Sequence, residues 1–273
     1  MDFLKAVKKQ RGYIIIVLLF SLLIGCTNKP QKKKTTESEP NTLTETEKKD
    51  GWILLFDGKT FNNWRGLGRE GIPEAHWKIE DGSIQKVESG EVPVQDDGQP
   101  LKGGDLMTID TFKDFDLTFE WKISEAGNSG IKYNVSEEMS TSGGPSYAAL
   151  GFEYQILDDE KQSNNLLPSQ FSASLYDIIM AENTTLNPVG EFNTGRIIFC
   201  SNHCEHWLNG VKVVEFDIGS ARFDSLFNIS KYINIPDFPK KRSGHIVLQD
   251  HSDAVWFRNI KIRILDPIIE MSE

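Results

Sequence analysis

Apolar and polar side chains alternate with a period of two along much of this chain. Residues 115–123 read FDLTFEWKI and residues 260–264 read IKIRI, so every second side chain is apolar and those between are polar. This period is that of a β-strand with one face in a protein core and the other in water. Asn209-Gly210 separates two further runs, EHWL and VKVVEF, and is typical of a two-residue β-hairpin.

Helical periodicity is nearly absent from the sequence. LYDIIMAEN, residues 175–183, is long enough for one or two helical turns, whereas glycine-containing turn signals recur throughout. The pattern therefore predicts an all-β fold, an antiparallel β-sandwich of the jelly-roll type whose two sheets share one core. Residues 136–149 and 219–243 are irregular. Long irregular stretches in a small domain are often functional, so we expect these two to wall a cleft.

The N-terminus has the features of an export signal. Basic residues precede the apolar run Tyr13–Ile24, which is shorter than the roughly 20 apolar residues that a membrane-spanning helix needs. Leu23-Ile24-Gly25-Cys26 resembles the bacterial lipobox, and this resemblance implies removal of residues 1–25 and lipidation of Cys26. An uncleaved N-terminal anchor is the alternative. We expect a protein of the cell envelope, held by its lipid at the outer membrane, with the periplasmic face favoured and the cell surface as the alternative.

The remaining chain divides by composition. Residues 26–50 contain few apolar side chains and many Lys, Thr, Glu and Pro, so they are predicted to form a flexible tether. Residues 51–273 have the length and apolar content of a single β-sandwich domain, which we expect to be catalytic.

The charge of the domain excludes one class of partner. The chain has 30 basic and 40 acidic residues. Residues 1–50 hold 10 of the basic and 6 of the acidic ones, which leaves 20 and 34 in the domain and a net charge of −14. A protein that binds nucleic acid has the opposite sign, so no nucleic-acid partner is expected. A neutral carbohydrate is compatible with this charge.

Two cysteines remain in the domain. Cys200 and Cys204 flank a short predicted turn, so a disulfide between them is one interpretation in an oxidising compartment. A metal site that adds His203 and His206 is another. Its spacing matches no common zinc pattern, and alternation divides these four residues between two faces of a hairpin.

Several polar residues interrupt strands that are otherwise apolar. In GFEYQILDDEK, residues 151–161, alternation places Glu153 and Gln155 on one face, and Asp158 follows the strand. Buried polar groups are costly unless they are paired, so such residues from different strands are predicted to cluster at one polar site. For a lone histidine, a satisfied position in the core is the alternative. The residues of this type are Glu153, Gln155, His206, Gln249 and His251.

Nine motifs in order add a family resemblance. Among them are GWILLFDGKTFNNW, GNSGIKYNV, GFEYQILDDEK, EHWLNGVKVVEF and GHIVLQDHSDAVWFRNIKIR. Together they resemble the 3-keto-disaccharide hydrolase domain family from Gly51 to about Leu265. The resemblance implies a concanavalin A-like lectin/glucanase fold and an enzyme that cleaves glycosides already oxidised at C3 of the sugar. An upstream sugar 3-dehydrogenase is then expected, because some enzyme must make the ketone.

The chemistry of such a substrate suggests roles for the candidate residues. A C3 carbonyl acidifies the hydrogen on C2, so a base can remove it, the glycosidic oxygen can leave by β-elimination, and water can then add back. We expect Glu153 to be the base or a metal ligand. Lys132 or a divalent cation would hold the enolate oxygen. The expected catalytic residues are Glu153, Gln155, Asp158 and His206, and the expected substrate-binding residues are Asn128, Lys132, Gln249, His251 and Trp64, with Trp256 as a second aromatic candidate.

Two other functions are weighed against this one. The pattern Glu153-x-Gln155-x-x-Asp158 resembles the Glu-x-Asp-x-x-Glu strand of retaining glucanases on the same fold, in which two carboxylates lie about 5.5 Å apart. Here an amide replaces the central carboxylate, which counts against an ordinary endo-glucanase. A non-catalytic carbohydrate-binding lipoprotein is the other alternative, because fold alone does not establish function.

The sequence departs from the family pattern at two positions. Phe192 and Ser252 replace a Trp and a Gly of that pattern.

Overall fold

A computed structural model describes residues 39–88, 104–142, 148–162, 165–235 and 237–266. The predicted signal segment, Cys26 and most of the predicted tether lie outside these residues. Within them, no helix has the length and apolar character needed to cross a membrane. The strands are β1 (Trp52–Leu54), β2 (Trp64–Gly66), β3 (Trp77–Glu80), β4 (Ser83–Lys86), β5 (Leu106–Thr108), β6 (Phe115–Ile123), β7 (Asn128–Val135), β8 (Phe152–Leu157), β9 (Asn193–Cys200), β10 (His203–Leu208), β11 (Val211–Asp217), β12 (His245–Leu248) and β13 (Val255–Ile264).

The strands form two antiparallel sheets. The larger has eight strands in the order β11-β10-β9-β6-β13-β4-β3, with β1 also paired to β13. The smaller has five, in the order β2-β5-β12-β7-β8. Their facing sides share one apolar core, which confirms the predicted all-β antiparallel sandwich. In the described part of the chain, helix α1 (Glu45–Lys49) precedes β1. Helices α2 (Glu137–Thr141) and α3 (Ala221–Phe227) and 3₁₀ turns at Pro168–Gln170, Lys231–Asn234 and Phe238–Lys240 lie in the connections between strands.

Strand β8 is buried on both of its faces. Phe152, Tyr154 and Ile156 point into the core between the sheets. Glu153 and Gln155 point the other way, and they too are buried, because connecting segments cover that side of the small sheet. The alternation in GFEYQILDDEK therefore does not separate core from solvent. It separates an apolar face in the core from a polar face that connecting segments cover.

The hairpin between β9 and β10 corrects the interpretation of the cysteines. Cys200 lies opposite His203, and Cys204 lies opposite Phe199, so the two thiols are on opposite faces of the hairpin. Both cysteines are free, so the structure does not support the interpretation of a disulfide between them. The Cys/His metal site is excluded by the same register, because Cys204 and His206 point into the core whereas His203 points out.

The packed domain begins earlier than the composition predicted. Asn41 lies within the expected tether, yet its side chain donates to the carbonyl of Gly82 at 2.8 Å and accepts from the backbone N–H of Asn259 at 2.8 Å. In α1, Glu47 pairs with Lys261 of β13 at 2.7 Å. Low apolar content did not indicate this, because the segment is held by hydrogen bonds and an ion pair.

We expect Asn41→Ala to lower the free energy of unfolding by about 1–3 kcal/mol, because it leaves partly buried hydrogen-bonding groups of Gly82 and Asn259 without partners. Urea denaturation measures the change. Thr42→Ala is the matched control, since its hydroxyl bonds only to the exposed carbonyl of Glu39, and its effect should be within about 0.5 kcal/mol. Equal effects of the two substitutions would mean that this segment does not belong to the domain.

Candidate active site

A polar cleft of about 340 Å³ lies on the outer side of the five-stranded sheet. Its floor is formed by β7, β8 and the segment that follows β12. Residues 148–150, Leu166 and Tyr176 wall one part of it, and the 3₁₀ turn Lys231–Asn234 with Ile235 walls another. The cleft brings together six of the nine predicted site residues: Asn128, Lys132, Glu153, Gln155, Gln249 and His251.

A carboxylate and an ammonium group form the centre of the cleft floor. Glu153 and Lys132 are directly opposite each other on β8 and β7. The Glu153 Oε2 to Lys132 Nζ distance is 3.6 Å, and the two side chains are only 4% and 8% exposed. Lys132 Nζ also donates to the carbonyl of Ala149 at 3.2 Å. The pair is therefore a buried ion pair whose positive member has a second fixed partner.

A glycine makes room for this carboxylate. Gly130 precedes Lys132 by two residues on the same face of β7, and a Cβ atom at Gly130 would lie 2.5 Å from Glu153 Oε1. Any larger residue would push the Glu153 side chain aside. The motif GNSGIKYNV thus contributes both the cation and the space beside it.

Amide groups extend the polar floor away from Glu153. Gln155 Nε2 donates to Asn128 Oδ1 at 3.3 Å, and Asn128 Nδ2 lies 3.4 Å from His251 Nε2. With the Gln155 amide turned by 180°, its nitrogen donates instead to Glu153 Oε1 and to the carbonyl of Ser129, at 3.1 Å each. Gln155 can therefore link Glu153 to the rest of the floor.

A buried charge cluster lies behind the cleft and holds the segment after β12. Asp250 lies between Gln249 and His251, and its carboxylate contacts His76 Nδ1 and, at 3.1 Å, Lys86 Nζ. Burial alone would raise the pKa of Asp250, but the contacts with His76 and Lys86 outweigh it and lower the pKa. Gly104 packs against this carboxylate so closely that a side chain there would overlap it.

Asp105 joins this cluster to the wall of the cleft. Its carboxylate accepts from the backbone N–H groups of Asp250 and Ala149, both at 2.9 Å. Burial raises the pKa of Asp105, and the charge of Lys132 and the two N–H donors only partly oppose that rise. Because Ala149 accepts a hydrogen bond from Lys132, one carboxylate fixes both the His251 side and the Lys132 side of the cleft.

One buried acceptor in the cleft has no donor. Gln249 is 3% exposed, and its Oε1 atom makes no hydrogen bond within the described part of the chain. An unsatisfied buried polar atom costs about 1–3 kcal/mol, so it indicates a position where a ligand hydroxyl can donate. A carbohydrate, which is rich in hydroxyl groups, can satisfy this atom.

Sequence reasoning missed several lining residues. Tyr176 belongs to the LYDII motif, and Lys231, Tyr232 and Ile235 belong to the irregular stretch 219–243, which does wall the cleft as predicted. Lys231 Nζ lies 4.4 Å from the centre of the Tyr176 ring. The position of the stretch was a usable signal, but nothing in its composition showed which side chains face inward.

His206 does not reach the cleft. It is fully buried on the opposite side of the small sheet, where Nε2 lies 2.8 Å from the Tyr133 hydroxyl and Nδ1 lies 2.9 Å from the carbonyl of Ala173. Burial lowers the pKa of His206 to about 4. The prediction of a catalytic His206 is therefore wrong, and the alternative of a satisfied core histidine describes it.

Asp158 and the two tryptophans are also outside the cleft. Asp158 follows Glu153 by an odd number of residues on a regular strand, and its carboxylate accepts from the backbone N–H groups of Ala126, Glu160 and Lys161. It closes a turn. Trp64 is a core residue whose Nε1 donates to the carbonyl of Leu55 at 2.8 Å. Trp256 stacks with Lys122 on the large sheet.

Metal-ligand geometry is found elsewhere. Among the described residues, the group of His, Cys, Asp and Glu side chains close enough to share an ion is His203, Glu205 and Glu215, on the outer face of the large sheet. Lys212 pairs with both of these glutamates, at 3.1 and 2.8 Å. In the cleft, Lys132 pairs with Glu153, and the described lining residues offer no comparable set of ligands for a divalent cation, the alternative to Lys132.

Comparisons with known proteins give the family. The sequence profile of the 3-keto-alpha-glucoside-1,2-lyase-like domain matches residues 51–263. The chain belongs to this family. A 3-keto-disaccharide hydrolase of Bacteroides thetaiotaomicron is 36% identical over 254 residues, which cover 86% of this chain and 85% of that protein.

Solved structures agree with the family assignment. A candidate glycosyl hydrolase from Parabacteroides distasonis is 31% identical and superposes with a TM-score of 0.71, covering 84% of this chain and all of that one. A second candidate glycosyl hydrolase from the same organism is 24% identical with a TM-score of 0.54, over 75% of this chain, and shows the fold alone. The predictions of the family and of a glycoside-cleaving enzyme are confirmed.

The protonation of His206 predicts a pH dependence of stability. Above pH 6.5 the histidine is neutral in both states. Between pH 6.5 and about pH 4, the histidine is protonated in the unfolded state and neutral in the folded state. As the pH falls through this interval, His206 should therefore lower the free energy of unfolding by up to about 3 kcal/mol. Urea denaturation at several pH values measures it, and His206→Gln should lose this share of the pH dependence.

His203 provides a control of opposite sign. Its bonds to Asp217 and Glu205 outweigh its partial burial and raise its pKa, so its contribution is present at low pH and is lost as the pH rises. A His206→Gln variant with the pH dependence of the wild type would contradict the neutral core histidine.

Proposed function

We propose that this protein cleaves 3-keto-glycosides, including 3-keto-disaccharides, by removal of the C2 proton and β-elimination, followed by addition of water. The buried Glu153–Lys132 pair at the floor of the cleft is the observation that carries this proposal. The match to the 3-keto-alpha-glucoside-1,2-lyase-like domain and the similarity to a 3-keto-disaccharide hydrolase support the same substrate class.

The spacing of the pair fits the two atoms that change charge. The C2 hydrogen and the C3 oxygen of a keto sugar belong to adjacent carbon atoms, so a base and a cation that serve them must be neighbours. Glu153 and Lys132 are 3.6 Å apart. Glu153 takes the proton from C2, and the ammonium group of Lys132 stabilises the negative charge that develops on the C3 oxygen.

The surrounding residues hold the sugar. Gln249 Oε1 accepts a hydrogen bond from a hydroxyl group, and Asn128 and His251 are placed for further polar contacts. Asp105 and the Asp250 cluster keep these groups in position before the substrate arrives, which reduces the reorganisation that the reaction requires.

An ordinary retaining glucanase mechanism is less well supported. That mechanism needs two carboxyl groups about 5.5 Å apart on either side of the glycosidic bond. Among the described residues lining the cleft, Glu153 is the sole carboxylate, and the Asp158 side chain is held in a turn.

The proposed elimination requires a preceding reaction, oxidation of the C3 hydroxyl of a glycoside by a sugar dehydrogenase.

Glu153→Gln should lower kcat on a 3-keto-glucoside by at least about 100-fold, because an amide cannot act as the base. Lys132→Met should also lower kcat strongly, because the enolate loses its cation. Release of the alcohol from the 3-keto-glucoside and from its unoxidised parent is followed by chromatography. The wild-type enzyme should act on the keto sugar alone.

Glu120→Gln is the matched control for these variants. Glu120 is a strand glutamate paired with Arg258 on the outer face of the large sheet, so its loss should leave kcat unchanged. Cleavage of the unoxidised parent at a comparable rate, or full activity of Glu153→Gln, would overturn the proposed function.

We also propose that the protein is a lipoprotein of the cell envelope, anchored through Cys26 at the periplasmic face of the outer membrane. The lipobox-like residues 23–26 support this. Metabolic labelling with a radioactive fatty acid should mark the full-length protein and not Cys26→Ser, whereas Cys200→Ser should keep the label. Label in Cys26→Ser would contradict this anchor.

A further inference from the structure

Tyr232 is a buried aromatic residue in the wall of the cleft. The residue is 7% exposed, and its ring stacks on Phe238 with the ring centres 4.4 Å apart and the planes within 12° of parallel. It lines the cleft together with Glu153. The ring is therefore held rigidly in the wall of the cleft.

The electrostatic surroundings keep this hydroxyl protonated. Burial raises the pKa of Tyr232 well above its ordinary value, and the charge of Glu153 raises it further, followed by smaller effects of Tyr176 and Asp177. Glu153 and Tyr232 both line the cleft, so the proposed base and this side chain border the same small volume. At neutral pH, Tyr232 is thus a neutral O–H donor beside a carboxylate.

We propose that Tyr232 is a catalytic residue, the acid that gives its proton to the glycosidic oxygen as that oxygen leaves C1. This inference rests on the proposed function and deepens it. Elimination needs a proton donor for the leaving group in addition to a base and a cation, and Glu153 and Lys132 already fill the other two roles.

The proton and electron balance closes with these residues. The Glu153 carboxylate takes the C2 proton, the electron pair of that C–H bond becomes the enolate, and the enolate expels the C1 oxygen. Tyr232 supplies the proton that turns this oxygen into a free alcohol, which leaves a sugar with a C1–C2 double bond conjugated to the C3 ketone. Tyr232 is then a phenolate, and Glu153 is a carboxylic acid.

The second half-reaction restores both groups. Water attacks C1 of the unsaturated ketone while the Tyr232 phenolate takes its proton, and the protonated Glu153 returns a proton to C2. The net reaction is hydrolysis with no change in the enzyme. Lys231, whose Nζ lies 5.2 Å from the centre of the Tyr232 ring, provides a positive charge near the transient phenolate.

A raised pKa does not prevent this role. A sugar alkoxide is a stronger base than a phenolate, so proton transfer becomes favourable as the bond between C1 and the leaving oxygen lengthens. For a nitrophenolate leaving group the opposite holds, because it is a weaker base and departs without help. The proposed acid should therefore matter for some substrates and not for others.

The test compares leaving groups. Tyr232→Phe is assayed on a 3-keto-disaccharide and on the 2,4-dinitrophenyl 3-keto-glucoside. We expect kcat/KM to fall by about 100-fold or more with the disaccharide and by less than about fivefold with the dinitrophenyl compound. Tyr133→Phe is the matched control. Its hydroxyl contacts His206 in the core, so any loss should be the same for both substrates.

Each outcome is decisive. An equal loss on both substrates would show that Tyr232 only shapes the cleft, and would overturn its role as acid while leaving the proposed function intact. Wild-type kcat/KM on both substrates in Tyr232→Phe would do the same. If the wild-type enzyme itself cleaves neither 3-keto substrate, the proposed function fails and the role of Tyr232 fails with it.

Discussion

The site depends on a buried ion pair that must be kept both charged and usable. Removing Glu153 and Lys132 from water costs several kcal/mol per ion, and their mutual attraction offsets that cost only when other contacts are in place. The carbonyl of Ala149 and the amide of Gln155 supply those contacts. Gly130, which has no side chain, leaves room for the Glu153 carboxylate. A pair of this kind is better explained by chemistry than by stability, because an apolar pair would be as stable.

A second group of buried charged residues, behind the cleft, supports the first. Asp250 contacts His76 and Lys86 across a large distance in sequence, since His76 and Asp250 are 174 positions apart. Asp250 and Lys86 carry opposite charges, and Asp105 transmits the position of this cluster to the cleft through two backbone N–H groups. The rigidity of the floor therefore comes from polar contacts in the covered outer layer of the small sheet, whereas the apolar core between the sheets holds the scaffold.

The alternation of apolar and polar residues was sufficient to predict the all-β fold and part of the cleft floor. It predicted β6, β8, β10, β11 and the end of β13, and it placed Glu153 and Gln155 on one face because strand geometry follows from local sequence. His206 obeys the same alternation, but alternation cannot say whether a face meets the core or a cleft. The prediction for Asp158 was wrong because Asp158 follows Glu153 by an odd number of positions. Without a β-bulge, such a spacing places two residues on opposite faces of a strand. Tyr232 lies on an irregular segment, where no periodicity relates side chains to faces, and the partners of Asp250 depend on long-range pairing.

The position of β13 has a consequence for how the molecule is made. This last strand lies between β6 and β4, pairs with β1, and receives Asn41 from the start of the domain. Until residues 255–264 are in place, β3 and β4 therefore have no strand that joins them to β6, β9, β10 and β11. The large sheet can close only around a complete chain, so folding is late, and its many long-range contacts make it slow. A nascent chain that stops short of β13 has no central strand and remains a target for proteases.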